Sequence, residues 1–314
     1  MRRHRQEGRL LILALAAALS SGCRCKGDTK VGDKRAFACA EVPSRDTHEE
    51  TDLGDGKRLV RDGVRAIVRG VPDDAPTVVT SFEGATGATD SEGGSAGVLP
   101  ARRPIELPVP NGVAAVVVVG LGRLAREPLA AALSALAKKA PLVVAVAGPE
   151  DEVDFVRAAI ADAGKRVVDG GVVRALAISN LELVVVPGSD DPSSIAEHGR
   201  GCVVRVEDVR ALASKLGPPV QGKPRVALVH AAPSRDPQKP MANDALNDVT
   251  AWLVGGPLDR DGAVELAIPP GVSAPLLPVP RTTAPRTTST PSLVPPGFLL
   301  LRGDGGILLI KRVG

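Results

Sequence analysis

Four segments of this chain are apolar at nearly every position: VAAVVVVG (113–120), PLVVAVAG (141–148), LELVVVPG (181–188) and PRVALVHA (224–231). Such runs lack the alternation of a half-exposed strand and read as strands covered on both faces. Further strand candidates are 64–70, 77–82, 172–179, 202–206, 249–256, 263–269, 297–303 and 306–313. Helical patterns at 126–140, 150–164, 206–217 and 243–252 alternate with them. The first two are consistent with helix-end chemistry: Pro128 falls in a first turn, Lys138 and Lys139 in a last turn, and Glu150 and Asp151 at an N-terminus. The N-terminal half therefore reads as β-α-β units and the C-terminal third as strands joined by loops. This predicts an α/β domain with two sheets rather than a single doubly wound sheet. With four Phe, one Trp and no Tyr, its core must be built from Val, Leu, Ala and Ile, and stacking platforms for single-stranded nucleic acid are not expected.

The first 22 residues have the order of an export signal. A basic stretch, MRRHRQEGR, is followed by the apolar LLILALAAAL and then by the small residues SSG. Ten apolar residues are too few to span a bilayer as a helix. The segment Leu-Ser-Ser-Gly-Cys resembles a bacterial lipobox, with Leu19 one residue further from the cysteine than the usual pattern has it. On that reading Cys23 is the first mature residue and carries the lipid. The membrane is then a partner through Cys23, and the protein resides in the cell envelope, facing the periplasm or the exterior. Of 39 basic and 36 acidic residues, four and one fall within residues 1–22, which leaves 35 of each. A balanced mature chain offers no surface for a polyanion, so no nucleic acid is expected.

Residues 23–60 are polar and read as a tether, with the folded domain expected over 61–314. Two segments, 84–104 (Gly/Ser-rich) and 280–290 (Pro/Thr-rich), read as insertions. Cys25 and Cys39 flank a short polar loop and could form a disulfide in an oxidising compartment. Cys202 is left over before an apolar run and is expected to be a buried thiol.

Two motifs are outweighed by their contexts. GGSAG (93–97) has the spacing of a nucleophile elbow, yet Ser95 lies in a flexible stretch instead of between a strand and a helix. GLGRLA (120–125) follows a strand and opens a helix, as a dinucleotide loop would. Glu150 and Asp151, the nearest acids for a ribose, come too late, and Gly120 and Gly122 are read as glycines of a tight turn.

A third pattern is spread over five strand ends: TSFEG (80–84), VVVVGLGRL (116–124), VAGPED (146–151), LVHAAP (228–233) and LVGGPLD (253–259). In order and spacing these resemble the signature blocks of calcineurin-like metallophosphoesterases. The resemblance implies a four-layer α/β/β/α sandwich with two mixed sheets, and a chemistry in which two cations clamp a phosphate for attack by a bridging hydroxide. Carried over by position, Ser81 and Glu83 stand at the first block's Asp and His, and Leu121 at the bridging Asp. Pro149, Glu150 and Asp151 stand at the Asn, His and Asp of the third block, and Gly256 and Leu258 at the last block's histidines. Only His230 keeps the family's residue. Leucine offers no lone pair, and the mature chain holds just two other histidines, His48 and His198. The resemblance thus implies a sandwich that has lost its metal pair, with no cofactor, no metal and no catalytic residue expected. The alternative is a phosphoric ester hydrolase with a single divalent cation held by Glu83, Glu150, Asp151 and His230.

Overall fold

A computed structural model describes residues 48–82, 107–189, 201–202, 204–230, 246, 248–255, 276–280 and 297–313. The chain is α/β with two mixed sheets. It opens with an antiparallel run of three strands, β1 (His48–Gly54), β2 (Lys57–Asp62) and β3 (Arg65–Arg69). There follow β4 (Thr77–Thr80), β5 (Ala115–Val119), helix α1 (Arg126–Ala137), β6 (Val143–Val146), helix α2 (Val153–Ala163) and β7 (Val167–Asp169). Next come β8 (Ala175–Ile178), β9 (Leu181–Val186), helix α3 (Val206–Leu216), β10 (Arg225–Val229) and β11 (Ala251–Val254). β12 (Leu276–Pro278), β13 (Phe298–Asp304) and β14 (Ile307–Val313) complete it. One sheet runs β14-β13-β4-β5-β6-β7 and the other β1-β2-β3-β8-β9-β10-β11-β12. β4 to β7 are mutually parallel, as are β9 to β12.

The apolar runs explain this layering. Along β5, Val117 and Val119 join the core between the sheets, while Val116 and Val118 turn to the opposite face. There they meet Leu129, Leu133 and Leu136 of α1 and Val153, Val156 and Ala159 of α2, residues at helical spacing. The second sheet repeats the scheme. Leu183, Val185, Val226 and Leu228 point inwards, and Val184, Val186, Ala227 and Val229 pack on Val209, Leu212 and Leu216 of α3.

Several expectations are corrected. The stretch 48–60, read as tether, forms β1 and most of β2. Its exposed face lacks an apolar stripe, but Asp55 and Gly56 both have positive φ, as a two-residue hairpin turn requires. Around residue 250 the helical pattern gives way to β11, whose Trp252 and Val254 are buried against α3's cluster. Segment 202–206 forms no described strand, and Val206 instead opens α3. β7 and β12, three residues each, were not anticipated. The insertion 84–104, the insertion 280–290 apart from Pro280, and the strand candidate 263–269 lie outside the described residues.

Charge is buried at two places in and beside the second sheet. Arg225 Nε donates to Glu182 at 2.9 Å between register-paired residues of β10 and β9, and both side chains are almost fully enclosed. Arg174, also enclosed, donates from Nε to the Val185 carbonyl. Burial pulls its guanidinium down to about 10, against the opposing charges of Asp208 and Asp169. Removing one member of a buried pair strands the other, so Glu182→Gln should lower the unfolding free energy by about 3–5 kcal/mol. A denaturant titration checks this: the midpoint should fall with the slope unchanged, and an unmoved midpoint would contradict the role given to the pair.

Candidate functional site

The carboxyl ends of the two parallel sets meet. Gly255, just past β11, lies so close to β5 that a Cβ on it would stand 2.5 Å from Val119 Cγ1. Gly148, just past β6, is pressed equally against His230, just past β10: a Cβ there would stand 2.9 Å from His230 Cδ2 and 3.3 Å from Asp151 Oδ2. Ser81, after β4, donates its amide to the Pro280 carbonyl beyond β12 at 3.0 Å. The adjacent Phe82 amide donates to Gly120 at the end of β5. Ser81, Leu121, Pro149, Asp151 and His230 are thus brought to one junction of strand ends, and all five are buried. Glu83, Gly256 and Leu258 lie outside the described residues, as do Ser95, Cys23, Cys25 and Cys39.

Asp151 organises this junction. Its Oδ2 accepts from the amides of Leu121 at 2.8 Å and Gly148 at 2.7 Å, and its Oδ1 from the amide of Arg123 at 2.9 Å. The loop that supplies two of these amides is tightly turned, with Gly120, Gly122 and Arg123 all at positive φ. Only glycine adopts that region freely, so the placement of Arg123 there is held by the surrounding bonds. Arg123 also reaches the neighbouring acid, forming an ion pair and a hydrogen bond with Glu150 at partly exposed positions.

The two adjacent carboxylates have therefore been assigned different tasks. Asp151 replaces solvent for three N–H groups, two of them buried and one partly so, whereas Glu150 is neutralised at the rim by Arg123. A hard dication needs several oxygen ligands with free lone pairs. Among the described residues no group of three His, Cys, Asp or Glu side chains is placed to hold one. The same bonds bear on the dinucleotide pattern, because two of the amides that could cradle a pyrophosphate are directed at Asp151. Gly120–Ala125 is a tight turn leading into α1.

Two functional features escaped the sequence. The partnership of Arg123 with Glu150 is written 27 residues apart and has no local signature. Cys202, expected as a buried thiol, is buried but disulfide-bonded. Among the described residues no helix is long and apolar enough to cross a membrane. No family model matches this chain, and no curated protein matches it.

Asp151→Asn keeps the volume but places an amide donor against amide donors. We expect it to cost about 3 kcal/mol, as the loss of charge-assisted bonds to buried groups does. Glu150→Gln, at a solvent-screened pair, should cost less than about 1 kcal/mol. Parallel denaturant titrations of the two variants check the contrast, and equal losses would contradict it.

Proposed function

We propose that this protein is an exported, lipid-anchored binding or scaffolding module on a calcineurin-like phosphoesterase sandwich that has lost its metal chemistry. Support for the fold comes from two mixed sheets covered by helices, with the ends of β4, β5, β6, β10 and β11 converging as the five sequence blocks would require. The observation that carries the loss of chemistry is the engagement of Asp151. Its two oxygens accept the amides of Leu121, Arg123 and Gly148 and so tie two loops together. At the position of the bridging carboxylate stands Leu121, which is fully enclosed. A bridging ligand must offer a lone pair to each of two cations, and an alkyl side chain offers none.

On this reading the junction serves the fold. Interaction falls to the surface around it, including the half-exposed Arg123–Glu150 pair and the strands outermost among the described residues, β1, β7, β12 and β14. Anchoring through Cys23 would hold that surface in the cell envelope, facing the periplasm or the exterior. The competing reading is a hydrolase with one divalent cation near His230, and it would draw on Glu83 as a further ligand.

Two measurements test the proposal. Metal content of the full chain and its turnover of phosphomonoesters and phosphodiesters in added Mn²⁺ should both stay at background. Stoichiometric metal together with turnover abolished by His230→Ala would overturn it in favour of the hydrolase. Cys23→Ser should release the protein from the membrane fraction, and unchanged partitioning would overturn the lipid anchor.

A further inference from the structure

We propose that Cys202 is cross-linked to Cys39, so that the segment preceding β1 is fastened to the strand-end junction. Cys202 is bonded, and the chain holds three other cysteines, Cys23, Cys25 and Cys39. Every candidate partner therefore precedes β1. The count also makes two sequence expectations incompatible: with Cys202 engaged, an acylated Cys23 and a Cys25–Cys39 disulfide cannot coexist in one chain.

The sheet register indicates where the chain enters. His48 pairs with Asp62, Asp62 with Arg65, Arg65 with Ala175, and Ala175 with Val184. The start of β1 thus lies level with Val184 near the carboxyl end of β9, at the edge of the sandwich where the strand ends converge. Cys202 is at that same edge. Its carbonyl accepts from the Ser189 amide at 3.3 Å, and its Sγ occupies the space beside Gly188, where a Cβ would stand 2.6 Å away. Gly188 in turn donates to Ala147, the residue before Gly148 and its neighbour His230. Four strand spacings and four residues of rise separate His48 from Gly188, a distance of roughly 23 Å. The nine residues from Cys39 to His48 extend to about 30 Å, enough to cover it. Cys25 would need a much longer closed segment, which is entropically less favourable.

The cross-link fastens the N-terminal segment beside the Gly188–Ala147 contact, makes that rim dependent on oxidation, and leaves Cys23 free for a lipid. Its formation removes two thiol hydrogens and two electrons, taken by the thiol oxidants of an exported compartment.

Trypsin separates all four cysteines, with Cys39 in residues 36–45 and Cys202 in residues 201–205. The full chain is alkylated before unfolding and digested without reductant, and the expected product is the 36–45 peptide joined to 201–205. A Cys25–Cys39 product, or Cys202 joined to Cys23 or Cys25, would overturn the proposal. Thermal melts provide the second arm. Cys39→Ala and Cys202→Ala should each lower Tm by roughly 10 °C, with the double variant no lower than either single one. Cys25→Ala should leave Tm unchanged. Additive losses in the double variant, or a loss in Cys25→Ala, would count against the pairing.

Discussion

Each central strand of this protein is compressed from two sides, and the rest of the structure follows from that constraint. β5 and β6 fill the space between the sheets with Val117, Val119, Val144 and Val146, and the space under the helices with Val116, Val118, Val143 and Ala145. With so few aromatic residues, short branched side chains set the separation, and the sheets close tightly at their ends. Glycine becomes obligatory where backbones meet. A Cβ on Gly170 would stand 2.9 Å from Val146 Cγ2 and 3.1 Å from Val185 Cγ1, one side chain from each sheet. An interior packed to this density has no slack for an added methyl group without displacement of its neighbours.

Close approach of the sheets has an electrostatic consequence. Loops that leave buried strand ends take their amides with them, and a buried N–H without an acceptor costs about as much as a lost hydrogen bond. Two such amides, from Leu121 and Gly148, and the partly buried amide of Arg123 point to one place, and Asp151 answers all three. The local concentration of N–H dipoles stabilises the anion there as a bound oxyanion would be stabilised. The left-handed conformation of Arg123, otherwise a cost of about 1–3 kcal/mol, is held by that bond. Loop geometry suited to cradling an anion is thus satisfied from within the chain.

The sequence made the interior legible because the interior is encoded locally. Continuous apolar runs marked β5, β6, β9 and β10, and helical spacing of Leu129, Leu133 and Leu136 marked α1. Features set by pairing instead of burial were missed. The β1–β2 hairpin buries almost nothing at His48–Glu50, so its only local sign was the Asp55-Gly56 dipeptide at the turn. β7 is too short for any period to show. At the junction, the convergence of Ser81, Leu121, Pro149, Asp151 and His230 could be anticipated from the order of strand ends. What Asp151 does there could not, because its partners are backbone amides and any residue type supplies the same N–H. Helix-dipole chemistry at the start of α2 was a sufficient local reason for Glu150 and Asp151, and it hid the longer-range one. The bonded state of Cys202 was hidden for a similar reason, since its partner lies far away in the sequence and leaves no mark on the residues beside it.

The charged side chains enclosed among the described residues share one property: each is engaged with the backbone or with an opposite charge. Arg174 donates to the Val185 carbonyl, Glu182 and Arg225 hold each other across β9 and β10, and Asp151 holds two loops. Reactive sites are usually arranged differently, with a charge kept in low dielectric and its partner withheld until the substrate arrives. Here Asp151 and the buried Glu182–Arg225 pair stand at opposite ends of the parallel strands. Both ends are thereby held by charge that is already satisfied. On the binding reading proposed above, recognition at these strand ends would rest on shape and on the exposed charges of the rim, such as the Arg123–Glu150 pair.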